Sequence, residues 1–216
     1  MKNSLLSPAC PLCGSGSKFY FNTGKSYHRC KNCLSIFLDK KNFVSKEEEK
    51  KRYLEHNNDV SDPGYRAFVS PVTSRILKNF NRHHTGLDFG CGTGPVISEI
   101  LRENGYMIET YDPMFCNRPE LLRKKYDYIV CCEVVEHFHD PYKEFGLLRS
   151  LLKKGGAIYI MTDFFDDGTE EDFKKWYYKD DQTHVFFYHE KAFIWIEEVF
   201  GFYQAERFGR VVVLGG

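Results

Sequence analysis

No sign of charge predominates in these 216 residues, because thirty lysines and arginines are matched by thirty aspartates and glutamates. That balance gives no global field for nucleic acid or an anionic membrane, although a local basic patch is compatible with it. Long apolar runs are also missing. Stretches such as Ile194–Ile196 and Val211–Leu214 are far too short to span a bilayer. Met1 to Gly14 lacks the apolar stretch of a secretory signal, so the expected setting is the reducing cytoplasm. Internal repeats and low-complexity segments do not stand out. What is present is a hydrophobic content of 42%, which excludes a disordered or collagen-like chain. At this length a chain buries about 70% of its unfolded surface, enough for one main domain with an appendage.

The eight cysteines fall into two groups. Cys10, Cys13, Cys30 and Cys33 form two Cys-x2-Cys knuckles, and in a reducing compartment that spacing argues for metal rather than disulfides. Each knuckle turns tightly, so four thiolates can converge on one tetrahedral zinc ion. Between the knuckles, Lys18–Phe21 and Ser26–Arg29 read as two short strands around an Asn22-Thr23-Gly24 turn. That is the layout of a zinc ribbon. A closed four-cysteine site has no open position for water, which predicts a stabilising role and no metal catalysis. His28 is expected to be an exposed ribbon histidine rather than a ligand. Of the remaining thiols, Cys131 and Cys132 end a strand-like run and read as small buried hydrophobes.

Beyond the ribbon, residues 34–45 lead away from it, and Lys46 to Asn57 reads as a charged helix with a solvated face. Asp62-Pro63-Gly64 breaks the chain, and Tyr65 to Phe80 has helical spacing. Strand and helix patterns then alternate through residues 86–161, which implies a parallel sheet with right-handed crossovers. Strands are expected at 86–89, 106–111, 128–132 and 157–161, and helices at 95–104, 119–125 and 141–152. A helix from Glu190 to Val199 and a hairpin of Phe202–Phe208 with Arg210–Leu214 close the chain. The divisions expected are a ribbon at 1–40, a helical linker or cap at 41–85 and the main α/β domain at 86–216.

Leu87-Asp88-Phe89-Gly90-Cys91-Gly92-Thr93-Gly94-Pro95 lies between a strand and a helix, where glycines let the backbone approach a ligand. A dinucleotide fingerprint requires a small residue at 95, but proline stands there, and the third glycine comes one position early. Proline offers no N–H to a pyrophosphate, and the acid at 88 would repel one. Both features suit a cofactor carrying a cationic amino group, S-adenosylmethionine (SAM). The segment LDFGCGTG resembles the first motif of the class I SAM-dependent methyltransferases, whose loop holds the methionine part of SAM. The resemblance implies an acid that accepts hydrogen bonds from the ribose hydroxyls at the end of the second strand, and Asp112 stands at that place. Tyr126 to His137 resembles the family's fourth-strand segment, and Leu152 to Ile160 the turn into its fifth. Four motifs in order cover residues 65–216. The ribbon, Tyr53–Asn57, Gly64–Phe68 and the tract Trp176–Tyr188 resemble a bacterial subgroup with an N-terminal zinc-binding segment. One departure stands out: too few residues separate Asp112 from Tyr128 for the usual third strand and its adenine-binding side chain. Adenine is then expected against Pro113, Met114 or Phe115.

The resulting expectation is an α/β fold, a doubly wound Rossmann-like, mostly parallel sheet with a C-terminal antiparallel hairpin, preceded by a small zinc ribbon. Asp88, Gly90, Cys91, Gly92, Asp112, Pro113, Met114 and Glu133 are the candidate cofactor contacts. Glu136-His137 reads either as packing at the start of a crossover or as part of the chemistry, and His139 as solvent-facing. Residues 164–208 hold fifteen of the thirty-five aromatics, mostly core, but Asp180–His184 is a polar island between WYY and VFFY, as in ligand pockets. His184 and His137 are therefore the candidate catalytic residues, each able to take an acceptor's proton near neutral pH, with a structural histidine as the alternative for His184. The leading function is methyl transfer to a small-molecule acceptor. An RNA methyltransferase using the ribbon, and a non-catalytic SAM-binding adaptor, are the alternatives. Composition leaves O-, N- and C-methylation open, and monomer or dimer as well.

Overall fold

Ten strands and six α-helices make up the computed structural model, which describes residues 7–55 and 59–216. The expectations at His56 and Asn57 lie outside the described residues. Strands β1 (Ser17–Asn22), β2 (Ser26–Cys30) and β3 (Ile36–Leu38) belong to the N-terminal part. Helices α1 (Lys46–Leu54) and α2 (Pro63–Asn79) follow, then β4 (Thr85–Phe89), α3 (Val96–Glu103), β5 (Met107–Tyr111), β6 (Tyr126–Cys132), α4 (Pro141–Leu151) and β7 (Leu152–Met161). The chain ends with α5 (Glu170–Lys175), β8 (Phe186–Phe187), α6 (Glu190–Phe200), β9 (Gln204–Phe208) and β10 (Val211–Gly215).

Local chemistry sets several boundaries. Ser45 and Glu48 form a reciprocal capping box at the start of α1, with bonds of 3.2 and 2.9 Å. Pro63 opens α2, where Asp62 accepts from the Tyr65 N–H at 2.6 Å. Gly201 ends α6 in the left-handed conformation, φ 67°.

The main sheet runs β5-β4-β6-β7-β10-β9, parallel from β5 to β7 and antiparallel through the C-terminal hairpin. Along β6, Tyr128 and Val130 pack toward α2 and α3, while Ile129 and Cys131 pack toward α4 and α6, so both faces of the sheet are dry. Cys131 is buried as expected, whereas Cys132 is half-buried. Gly86 admits this packing, because a Cβ there would lie 2.1 Å from the Tyr128 ring. Beyond β5 the described residues add no further strand. Asp112 turns back on Cys116 and a 3-10 turn at Pro119–Arg123 leads straight into β6, as the short spacing required.

The chain leaves β4 for β5 on one side and reaches β6 on the other. The crevice between these strand ends is the topological switch point where open α/β sheets bind ligands.

Two expectations are corrected. Residues 34–45 do not simply leave the ribbon, because Ile36–Leu38 pairs with β2 and continues its sheet. That sheet runs β1-β2-β3-β8, so its fourth strand comes from Phe186–Phe187, far along the chain. His28, expected at the surface, is buried because β3 covers β2; its ring stacks on Phe37 at 5.7 Å. The charged helix α1 has the expected solvated face at Glu47, Glu48, Lys50 and Lys51; on its other side Glu49 is buried, and Glu49, Arg52 and Tyr53 face a cavity.

Candidate functional site

Loops leaving the C-terminal ends of β4, β5 and β6 meet at the switch point. Gly90 and Gly92 both have positive φ, 79° and 62°, which a side chain would strain. A Cβ on Gly90 would also lie 2.6 Å from Val134. The N–H groups of Gly90 and Cys91 donate to the Tyr111 carbonyl at 2.8 and 3.2 Å, holding the glycine loop against the end of β5. Asp112 completes the clasp. It accepts from the Gly92 N–H at 3.1 Å and from those of Met114 and Phe115 at 2.7 and 3.0 Å. A carboxylate has about four acceptor positions, so Oδ2 retains capacity for a ligand hydroxyl. Asp88 is 4% exposed at the cavity wall, where the Ser98 hydroxyl donates to it at 2.7 Å. Burial pushes its carboxyl up to about 6.

The loop after β6 carries a second cluster. Glu133 adopts a left-handed backbone, φ 52°, and its carboxylate meets the Arg210 guanidinium at 2.9 Å through both oxygens. Burial pushes Glu133 up to about 8, with Glu136 adding to the effect and Arg210 opposing it. Glu136 is fully buried and accepts hydrogen bonds from the Tyr178 hydroxyl and from Thr162 Oγ1, the latter at 3.1 Å. Burial raises it to about 7, opposed by those two bonds. His137 Nδ1 lies 3.0 Å from the Thr183 carbonyl and His184 Nδ1 2.6 Å from the Tyr178 carbonyl. A carbonyl has no proton to give, so each Nδ1 is the donor, and a neutral ring then carries its lone pair on Nε2. The two rings are 4.8 Å apart, edge to face, and Tyr53 meets His137 edge-on at 5.2 Å.

Both clusters open into one cavity of about 1210 Å³. Its floor is the glycine loop with Asp112, Pro113, Met114 and Phe115, and its far wall holds Tyr178, Asp181 and His184. Helix α1 covers it, tied down by Arg52, whose Nε and Nη2 reach Asp181 at 3.0 and 2.9 Å. Asp181 in turn accepts from Thr183, fixing the segment that carries His184. His139 is exposed at the rim, as expected, with its ring 4.5 Å from Phe43.

All eight cofactor candidates line this cavity, as do both histidines. Sequence reasoning weighed Glu136 but missed its partners Tyr178 and Thr162, and it missed the Arg210 partner of Glu133. The tyrosine, threonine and arginine come from segments whose spacing carries no hint of these pairings.

The four ribbon thiols form a separate centre. Cys10 and Cys33 are 3.7 Å apart, Cys13 and Cys30 3.3 Å, and all four sulfurs lie within 4.8 Å of one another. Zinc–thiolate bonds of about 2.3 Å in a tetrahedron place sulfurs about 3.8 Å apart, so this donor set fits zinc. Gly14 and Leu34, each just after a knuckle's second cysteine, take left-handed φ values of 68° and 58° that close the turns. Hydrogen bonds from Cys10 and Cys33 draw the Cys30 thiol down, against its burial. His28 is not among the converging donors.

A mostly parallel sheet with a glycine loop and strand-end acids around a large cleft at the switch point places this chain among the Rossmann-like α/β proteins. Residues 63–206 match the family described as methyltransferase domain, and the chain belongs to it. No curated protein matches the chain. Among solved structures it is similar to a SAM-dependent methyltransferase from Archaeoglobus fulgidus, with 18% identity, 80% of this chain and 100% of that chain covered, and a TM-score of 0.53. It is similar to magnesium protoporphyrin IX methyltransferase from Synechocystis PCC 6803 with bound S-adenosylhomocysteine (SAH): 16% identity, 79% and 94% covered, TM-score 0.51. An O-methyltransferase family protein from Burkholderia thailandensis follows at 13% identity and TM-score 0.50. The match takes in 78% of this chain and 62% of that one, so this chain spans under two thirds of that protein's length. At these identities the likeness is one of fold.

Proposed function

We propose that this chain methylates a small molecule, with SAM bound across the glycine loop and the acceptor between α1 and the segment 177–184. The cavity carries this reading: about 1210 Å³ exceeds the roughly 300–1,000 Å³ of a pocket for one ligand and leaves room for two. When bound, SAM supplies an activated methyl group on a sulfonium, open to in-line displacement. Asp88 would neutralise its amino group, since a cation beside a buried carboxylate offsets the cost of ionisation. The remaining acceptor capacity of Asp112 suits ribose hydroxyls, and Pro113, Met114 and Phe115 give adenine an apolar wall.

The protein's own work is alignment and exclusion of water. Helix α1 closes over the acceptor side through Arg52 and Asp181. His137 and His184, each with Nδ1 donating to a carbonyl, present a basic Nε2 that can take an acceptor's proton. The ribbon zinc is structural, because four thiolates complete its shell. Acidic Glu49, Glu144, Asp180 and Asp181 border the cavity beside Lys46 and Arg52, an unfavourable lining for an RNA backbone.

Calorimetric titration of zinc-loaded protein tests the cofactor. Micromolar affinity for SAM and SAH is expected, with none for NAD and at least a tenfold loss in Asp112→Ala. A folded, zinc-loaded sample that binds neither would end the proposal.

A further inference from the structure

We propose that Glu136, His137 and His184 hold a first-row divalent metal ion of the zinc type, whose open coordination positions take a hydroxyl oxygen of the acceptor. One ligand atom from each of the three residues lies within 4.8 Å of the others. Metal–ligand bonds of about 2.0–2.2 Å put such atoms about 3–3.5 Å apart, a closure small enough for side-chain rotation.

The surroundings match those of a metal centre. Histidine ligands characteristically donate their second ring N–H to a carbonyl or carboxylate, which fixes the tautomer and directs the other nitrogen to the metal. Both histidines do so here, through the Thr183 and Tyr178 carbonyls. Glu136 is oriented by Tyr178 and Thr162, each using one lone pair of a different carboxylate oxygen, so each oxygen keeps a second. Backbone bonding secures the constellation too, since the Val185 N–H donates to the Glu136 carbonyl at 2.9 Å. The donor set differs from the ribbon's in kind. Four thiolates close a structural site, whereas two imidazoles and one carboxylate leave positions open, the arrangement of catalytic sites. Those positions face the cavity, because His137 and His184 both line it. Two imidazoles favour zinc, copper, iron or nickel over magnesium, calcium or manganese.

The consequence for the substrate rests on the methyl-transfer reading; the metal site itself does not. A hydroxyl bound to such an ion loses its proton near neutral pH, as zinc-bound water does at about pH 7. The imidazoles then hold the ion, and the ion lowers the hydroxyl's pKa in place of a histidine base. The proton passes to water, the acceptor oxygen forms a bond to the methyl carbon, and the carbon–sulfur bond breaks with its electron pair left on sulfur. The acceptor class is therefore an alcohol or phenol, and the product a methyl ether.

Cobalt(II) titration of the full chain with its ribbon loaded with one zinc tests the site. One further cobalt should bind per chain, with a visible ligand-field spectrum, no thiolate charge-transfer band and no zinc released. His137→Gln and Glu136→Gln should each weaken that binding at least tenfold while keeping the ribbon zinc and the circular dichroism spectrum. No cobalt binding, cobalt entering only as zinc leaves with a thiolate band, or unchanged affinity in both folded variants would overturn the proposal. SAH titration of the same samples separates the two readings. Cobalt binding without SAH binding would uphold the metal site and remove the methyl-transfer function, whereas SAH binding without cobalt would do the reverse.

Discussion

Asp88→Asn should match wild type in stability near pH 4 and exceed it near neutral pH. The carboxyl is 4% exposed and its pKa is raised from 3.8 to about 6, chiefly by burial. Between those values the native state binds the proton that the unfolded chain has released, so stability falls as pH rises through the window. Two pKa units correspond to about 3 kcal/mol, expressed in full only above pH 6. The asparagine amide still accepts from Ser98 and carries no ionisable proton. Urea unfolding of both proteins from pH 4 to 7.5 should therefore show wild type gaining about 3 kcal/mol on the variant as the pH falls. Saturating SAH, which brings an amino group to the carboxylate, should flatten that gain. Parallel stability curves for the two proteins would refute the reasoning.

Gly90→Ala places a Cβ at φ 79° and 2.6 Å from Val134, so SAH affinity measured by calorimetry should drop at least tenfold. Gly86→Ala meets the Tyr128 ring at 2.1 Å in a dry layer, and urea unfolding should show a loss of about 1–3 kcal/mol, as for other overpacked cores. Cys30→Ser should abolish stoichiometric zinc and lower the thermal midpoint, with near-ultraviolet dichroism changing through the aromatics around β8.

The alternating core was legible because apolar positions in β6 and α4 keep the periods of a buried strand and an amphipathic helix. The missing strand after β5 was legible too, since the count between Asp112 and Tyr128 admits nothing more. What could not be read was set by distant partners. His28 is polar and sits in a strand whose outer neighbour, β3, has only three residues. Glu49 belongs to a run of charge, and only the cavity beneath α1 distinguishes it from Glu47 or Lys50. Glu133 and Arg210 are 77 residues apart in the chain, and no local pattern joins them.

The pairing of Ile36 with Phe187 has a consequence for biosynthesis. The first three ribbon strands emerge from the ribosome early, yet the edge that covers β3 is delivered only after some 150 further residues. At roughly 5–20 residues per second, the nascent ribbon waits about 8–30 s with Ile36–Leu38 unpaired on its outer side. A strand edge of three apolar residues is an opportunity for wrong partners. Capture of the proposed zinc by the two knuckles can precede the wait, because all four thiols come before β3 in the chain. The metal can thus keep the early strands in register until the late one arrives.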